Sequence, residues 1–527
     1  MTEQTRQYQA MAKTASWTMV SRVLGLFRDQ LIAAVFGATA IGSAFVIAFQ
    51  IPNLFRRLLG EGALTAAIVP VLADKSVKDG KLASFGFLNF VLRKVLPWMV
   101  GLTLIGVGTA LAFDFASAGR SEAAVLTAIC MPYMPLICVA ALFTSAVNLS
   151  GRFGLAEIAS GVLNLCMIVA LGVFGENFAA NDMDKAVWLC LGALVGGFFQ
   201  LMIPLWGLRQ EGWRPGLTHV DETAWKTLSL AFLPAALGAG VQQVNVLVSR
   251  GLAYNVSDAG LMYYYVANRI VELPIGLFSA SIAVVIFPAL ATAFASRDVP
   301  ALARNYGRGM RLVLAINVGA ACGLIALAAP IVQLLFQYGH FGAGDCANTS
   351  RLLVIFAIAM PFYAMISIVT RALNVAGQTK ATLIAAIHAL VVNAAGSLTA
   401  VWLNLGVEGL AWANALSTLW QYCVLRHALK KHAPEFLSES LVKPAIQVIT
   451  GSVLLLLVTF QGYAFLHNVL EGHLNEKLNL VLSMVLAGGA GMALYAFFLD
   501  KLGYPERDLL RGYANKFLKL FGLQLRA

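Results

Sequence analysis

The sequence predicts an all-α polytopic membrane protein. Of its 527 residues 59% are hydrophobic and only 12% charged, where a soluble domain carries about 25% charge. Mean hydropathy is +0.77, and apolar stretches of spanning length recur from one end of the chain to the other. A soluble enzyme of this size would need a charged surface that the composition does not supply, so that class is excluded.

A spanning helix needs about 20 largely apolar residues. Fourteen segments meet that pattern: 14–37, 40–73, 86–113, 123–150, 155–175, 186–208, 224–253, 260–294, 309–329, 346–373, 380–403, 407–429, 444–466 and 478–500. Pro330, Gly339, Gly342 and Gly344 interrupt the pattern over 326–350, the one place where the count could differ. Nothing between spans is long enough for a separate soluble domain. The first apolar stretch is broken by Arg22, Arg28 and Asp29, unlike a cleavable signal peptide, so it is expected to be span 1 of the mature chain. The seven cysteines are scattered and show neither a disulfide framework nor metal spacing.

Charge sets the orientation. Placing the N-terminus in the cytoplasm makes alternate loops basic: Lys75, Lys78, Lys81, Arg93 and Lys94 lie after span 2, and Arg297, Arg304, Arg308 and Arg311 after span 8. Arg426, Lys430, Lys431 and Lys443 lie after span 12, and the tail is basic as well. Only Arg120, Lys185, Arg351 and Lys477 fall outside, so both termini are expected in the cytoplasm.

Two motifs recur six spans apart. Ile68-Val69-Pro70 resembles Ile286-Phe287-Pro288, and Asn148-Leu149-Ser150-Gly151 resembles Asn374-Val375-Ala376-Gly377. An even separation gives both halves the same orientation: a parallel pseudo-repeat, a common transporter plan with the substrate site between the halves. The expected division is an N-lobe over 1–215 (spans 1–6), a C-lobe over 216–435 (spans 7–12), and spans 13–14 with a basic tail over 436–527.

The chemistry lies in charges that a bilayer disfavours. Arg22, Arg28, Arg56, Arg57, Arg250 and Arg269 lie within spans, against Asp29, Glu61, Glu157 and Glu272. A central arginine costs about 2.5–3.5 kcal/mol on insertion scales, so such residues pair or face a wet cavity. Arg250 and Glu157 sit near span ends, where snorkelling is expected. Arg22 and Asp29 share a face, with Arg28 turned away; Arg57 with Glu61 and Arg269 with Glu272 are spaced to pair. Those pairs could serve only to hold helices together. Against that, Arg22, Arg28 and Arg56 have no equally obvious local partner, and Pro52, Gly60, Gly62 and Pro274 break spans 2 and 8 beside the arginines. Arginine holds phosphate bidentately and keeps its charge when desolvated. An anionic, phosphorylated substrate matches the excess of arginine over acid. No GxxxxGK[ST] loop is present, so ATP hydrolysis is not expected. No nucleophile sits beside a base, so the chain is expected to be a carrier and not an enzyme.

The run Ser21-Arg22-Val23-Leu24-Gly25-Leu26-Phe27-Arg28-Asp29, then Phe36-Gly37-Ala38, Ile51-Pro52-Asn53-Leu54-Phe55-Arg56-Arg57 and Glu61-Gly62-Ala63, resembles the N-terminal signature of the MurJ (MviN) lipid II flippases. Met262-Tyr263-Tyr264, Asn268-Arg269, Glu272, Pro274, Phe336-Gln337-Tyr338-Gly339 and Gly377-Gln378-Thr379-Lys380 extend the resemblance over roughly 10–500. It implies the multidrug/oligosaccharidyl-lipid/polysaccharide exporter superfamily and two six-helix lobes around a cationic cavity. It implies too an undecaprenyl-diphosphate-linked disaccharide-pentapeptide, lipid II, as the substrate. It places cavity arginines at Arg22, Arg28, Arg56 and Arg269, and gate or pairing positions at Asp29, Ser43, Arg57, Glu61, Asn268 and Glu272. Spans 13–14, free of charge up to Asp500, would groove the lipid tail. Ser43 stands where the family usually has aspartate, Gln50 where lysine is common, and Asn268 where aspartate is frequent. Span 7 lacks any Asp or Glu, so a sodium site on a carboxylate there is not expected. The resemblance implies a bacterial inner-membrane protein with no cofactor, driven by membrane potential or an ion, with membrane lipids and cell-wall synthesis proteins as partners and no nucleic acid. A flippase for another polyprenyl-diphosphate saccharide is the near alternative. A cation-coupled drug exporter, which would show acidic cavity residues, and a non-transporting scaffold are the more distant ones.

Overall fold

The computed structural model describes residues 3–58, 64–117, 121–152, 154–216, 221–276 and 280–508. Among the described residues each of the fourteen expected spans lies on helix, and no strand occurs. Nine helices among them are long and apolar enough to cross a membrane on length and composition alone. The other expected spans are charged or broken, as span 1 is by Arg22, Arg28 and Asp29 and spans 2 and 8 are by prolines.

By contact the chain forms two compact units: Met1–Met262 with Tyr338–Phe341, and Tyr263–Gln337 with Gly342–Ala527. The first contains α1 (Glu3–Phe36), α2 (Ala40–Phe55), α3 (Leu64–Lys78), α4 (Lys81–Ala116), α5 (Glu122–Cys130), α6 (Tyr133–Leu149), α7 (Leu155–Val169), α8 (Glu176–Phe178), α9 (Asp182–Gln210) and α10 (Glu222–Val256). Pro52, lacking an N–H, loosens the end of α2, which opens into a wide π-type turn at Arg56–Leu58. A similar wide turn, Ala170–Gly175, joins α7 to α8. Division by contact differs from division by repeat: α10, which the repeat groups with the second half, packs against α2 and α3.

The second unit contains α11 (Gly260–Pro274, its first three residues in the first unit), α12 (Ala280–Ala295), α13 (Val299–Ala326), α14 (Ala328–Phe336), α15 (Ala343–Val375), α16 (Thr379–Trp402), α17 (Gly406–His432), α18 (Val442–Leu470) and α19 (Glu476–Lys501). Span 8 is thus broken at Pro274 as span 2 is after Pro52. Over 326–350 the chain forms a short helix, α14 (Ala328–Phe336), before α15 begins at Ala343. Helix ends repeat too. Gly151 (φ 84°) and Gly377 (φ 72°) each adopt the left-handed conformation that ends α6 and α15. In each, the next residue's N–H bonds back five residues, Arg152 to the Val147 carbonyl and Gln378 to that of Leu373.

Packing follows small residues. A methyl group on Gly192 would meet the Ala170 Cβ at 2.4 Å, and one on Gly196 the Leu163 Cδ1 at 2.8 Å, so α7 and α9 meet at near-backbone distance. In the second unit Tyr306, Met310, Val313, Ile368, Val369 and Phe436 form a buried core. The face that α4 presents, with Trp98, Leu104, Ile105 and Phe113 exposed, suits lipid. The α18–α19 hairpin is pinned to α13 through Tyr495, whose hydroxyl donates to the Ala315 carbonyl at 2.7 Å, and through Arg311. Arg311 bonds Glu439 at 2.6 Å and Glu506 at 2.9 Å.

Candidate functional site

Helix α1 turns its polar side toward α7. Arg28 is 9% exposed and Asp29 1%. The Arg28 guanidinium folds back on its neighbour: Nε and Nη2 both donate to Asp29 Oδ1, at 3.0 and 2.7 Å. Its Nη1 donates to Asn164 Oδ1 at 2.9 Å, and Asn164 Nδ2 donates to the Ser21 carbonyl at 3.2 Å. The expectation that Arg28 turns away from Asp29 and lacks a local partner is therefore corrected. Adjacent helical side chains diverge at Cβ, but arginine is long enough to curl back. Arg22, two turns earlier, is half-buried.

Arg56 occupies the wide turn that ends α2, with its Nε on Asn53 Oδ1 at 3.1 Å. It lines a cavity of about 370 Å³ within the first unit, with Thr65, Ser145, Asn148, Glu157 and Gln200. Arg57 is more exposed, and its expected partner Glu61 lies outside the described residues. Ser43 Oγ donates to the Asp258 carbonyl at 2.6 Å, so where the family usually has a carboxylate a hydroxyl holds a loop carbonyl. In the second unit the expected pair is formed: Arg269 Nη1 to Glu272 Oε2 at 3.3 Å, with Asn268 Nδ2 on Glu272 Oε1 at 3.0 Å.

Sequence reasoning assigned Arg250 to the interface. The structure instead buries it to 7% exposure and hydrogen-bonds its Nη1 to the Gln50 side-chain carbonyl on α2. A signal was present: Gln243, seven residues earlier and so on the same face of α10, is also buried.

Two polar clusters lie beyond the spans. Lys75, 4% exposed, pairs with Asp221 at 2.5 Å and Asp79 at 3.4 Å. Burial alone would lower its pKa, but the two carboxylates outweigh that and raise it. Asp221 caps α10 by accepting from the Ala224 N–H at 2.8 Å; that bond and the Lys75 ammonium hold its carboxyl below the usual range. Glu211 is lowered likewise, by its hydrogen bond to Lys81 and the nearby Arg152. Among the described residues no group of His, Cys, Asp and Glu could hold a metal ion.

Apolar helices of spanning length, with arginines set beside broken helices, define a class: a multi-pass membrane transporter. A family model described as "Lipid II flippase MurJ" matches residues 32–481, so the chain belongs to that family. The probable lipid II flippase MurJ of Bdellovibrio bacteriovorus is 30% identical over 86% of this chain and 87% of its own length. A solved lipid II flippase MurJ in an inward closed conformation shares the fold with a TM-score of 0.72, at 22% identity over 93% of this chain and 99% of that one. An inward-facing multidrug resistance MATE transporter of the MOP superfamily, 14% identical over 82% of this chain and 100% of its own, follows at 0.67.

Proposed function

We propose that this chain moves lipid II from the cytoplasmic to the outer leaflet of a bacterial inner membrane, with both termini in the cytoplasm, by alternating access. The observation that carries the proposal is the pair of cationic breaks: Arg56 in the wide turn ending α2, and Arg269 one helical turn before Pro274 in the equivalent span of the second half. A half-exposed arginine beside a broken helix is placed to grip a diphosphate by its fork. Arg22 adds to the positive field; the charge of Arg28 is balanced by Asp29, so Arg28 contributes by tying α1 to α7 through Asn164. An inside-negative potential favours outward movement of an anion by about 2.3 kcal/mol per charge per 100 mV, so no nucleotide is required. The polyprenyl chain would run along the α18–α19 hairpin, which carries no Asp, Glu, Lys or Arg over 444–470 or over 478–499.

The test is the amount of lipid II labelled at the outer leaflet of cells depleted of their own flippase and supplied with this chain. Exposure should return with the native chain and fail with Arg269→Gln at equal membrane abundance. Native protein that is abundant yet restores nothing would move the substrate to a different polyprenyl-diphosphate saccharide. Full activity of both Arg56→Gln and Arg269→Gln would refute the arginine site.

A further inference from the structure

The cavity beside Arg56 has a cause in the sequence. Ala141, Thr144, Ser145 and Asn148 fall on one face of α6, and Ala156 and Ser160 on one face of α7, by three- and four-residue spacing. Side chains this short do not bridge the space between their helices, so a void of about 370 Å³ persists inside the first unit. Leucine at two of these positions would fill it. The volume is that of about twelve waters. It falls at the lower end of the range of about 300–1,000 Å³ found for pockets that hold small molecules.

Its lining offers hydrogen bonds that the protein does not use. Asn148 Oδ1 is buried with no hydrogen-bond partner. Gln200, 8% exposed, accepts from the Tyr133 hydroxyl at 3.1 Å through Oε1, which leaves its amide N–H groups to donate. Thr144 and Ser160 add hydroxyls that both donate and accept. A buried acceptor left unsatisfied in a spanning helix is costly unless a ligand supplies the donor. The two charged side chains in the lining, Arg56 and Glu157, are opposite in sign, so the cavity as a whole suits a neutral group. An apolar chain would strand Asn148 and Gln200. A hydroxylated group with an N–H of its own would not.

We propose that this cavity is a sugar subsite: it takes one acetamido sugar ring, the one joined directly to the diphosphate that Arg56 grips. This rests on the lipid II proposal above. The acetamido N–H donates to Asn148 Oδ1, its carbonyl or a ring hydroxyl accepts from Gln200 Nε2, and Thr144 and Ser160 bond the remaining hydroxyls. The apolar face of the ring lies against Ala141 and Ala156. The second sugar and the peptide exceed the volume and stay outside it. A site built on such bonds rejects a ligand that lacks them, because its own polar groups are then left unpaired. Arg56 reads the phosphate, which every polyprenyl diphosphate has; these four neutral side chains read what the phosphate carries.

The experiment uses the full chain in lipid nanodiscs and three ligands: undecaprenol, undecaprenyl diphosphate, and undecaprenyl diphosphate carrying one N-acetylglucosamine and no peptide. The native chain should bind the glycosylated ligand about tenfold or more tighter than the bare diphosphate, the worth of two neutral hydrogen bonds. Asn148→Leu should cut that preference by about three- to tenfold, with the loss confined to the glycosylated ligand. Because it removes an unsatisfied acceptor, its thermal midpoint should not fall below the native one. Equal losses for both diphosphates, which a merely structural role would give, overturn the proposal. So does a native-like preference in Asn148→Leu. Should Asn148→Leu fail to assemble, Ser160→Ala decides: a loss of about threefold for the glycosylated ligand is expected, and an unchanged preference overturns the proposal. A native chain that binds both diphosphates equally overturns the subsite and leaves the diphosphate reading standing. One that does not prefer the bare diphosphate to undecaprenol refutes the lipid II proposal itself, and this one with it.

Discussion

Replacing Arg28 by alanine removes the cation from a nearly dry pocket while its carboxylate partner stays. Asp29 is 1% exposed and loses both Nε and Nη2, and Asn164 loses the Nη1 donor that joins α1 to α7. Breaking a buried ion pair from one side costs about 3–5 kcal/mol, because the remaining charge is stranded. Removing both partners should cost less than the sum of the single changes, with a coupling of about 0.5–3 kcal/mol. Asn164→Ala, which gives up one charge-assisted bond and the link to the Ser21 carbonyl, should cost about 1–3 kcal/mol. The assay is equilibrium unfolding in detergent micelles of the native chain, Arg28→Ala, Asp29→Ala, the double variant and Asn164→Ala. Native-like stability of Arg28→Ala, or strict additivity in the double variant, would refute the clasp. Arg269→Gln is the contrast. Its side chain is 29% exposed and its pair with Glu272 half-open, so stability should change by less than about 1 kcal/mol. Lost transport in that variant then reports on substrate, which lost transport in Arg28→Ala alone does not.

Three further outcomes are expected. Gly339→Ala places a methyl 2.2 Å from the Ala34 carbonyl at a φ of +56°, so the 2.8 Å bond from the His340 N–H to that carbonyl should open; hydrogen exchange at His340 should speed by about tenfold or more. Asp221→Ala removes the α10 cap and the Lys75 pair and should cost about 0.5–2 kcal/mol at neutral pH. Because the folded pKa of Asp221 is depressed, its contribution is complete above 3.8 and is lost as pH falls through the lower folded value. Unfolding curves of the two proteins should therefore converge only in strong acid, and a constant gap down to that range would contradict the assignment. Arg311→Gln leaves Glu439 and Glu506 without their shared cation and should destabilise by about 1–3 kcal/mol. Limited proteolysis should then cut first near Leu502, whose carbonyl accepts from Gln447 on α18.

Local physics was readable from the residues alone. Apolar length placed every span on a helix, proline placed the breaks at Pro52 and Pro274, and i,i+3 spacing paired Arg269 with Glu272. What failed was direction. Its place three residues from the end of the expected span 224–253 assigns Arg250 to the interface, and only the tertiary seam with Gln50, 200 positions away, turns it inward. Arg28 appeared unpartnered because helical geometry separates adjacent Cβ atoms, a rule that a side chain as long as arginine evades. Asn164, which completes the clasp, carries no local mark of its role, since its partner stands 136 positions earlier. Pattern in an apolar sequence reports which residues are polar; in lipid both faces of a helix are apolar, so it does not report which neighbour each polar residue meets.

The seam between α7 and α9 has a mechanical consequence. Side chains that interlock can slip past one another by changing rotamer, and so dissipate a small strain where it arises. Gly192 and Gly196 leave no such gearing: sliding α7 along α9 would drive backbone over backbone. The pair behaves as a weld. Compliance then belongs to a place where the helical ladder is already widened, at Arg56–Leu58. In the proposed function, a force applied by the diphosphate at Arg56 would bend the chain at the widened turn on which that arginine sits.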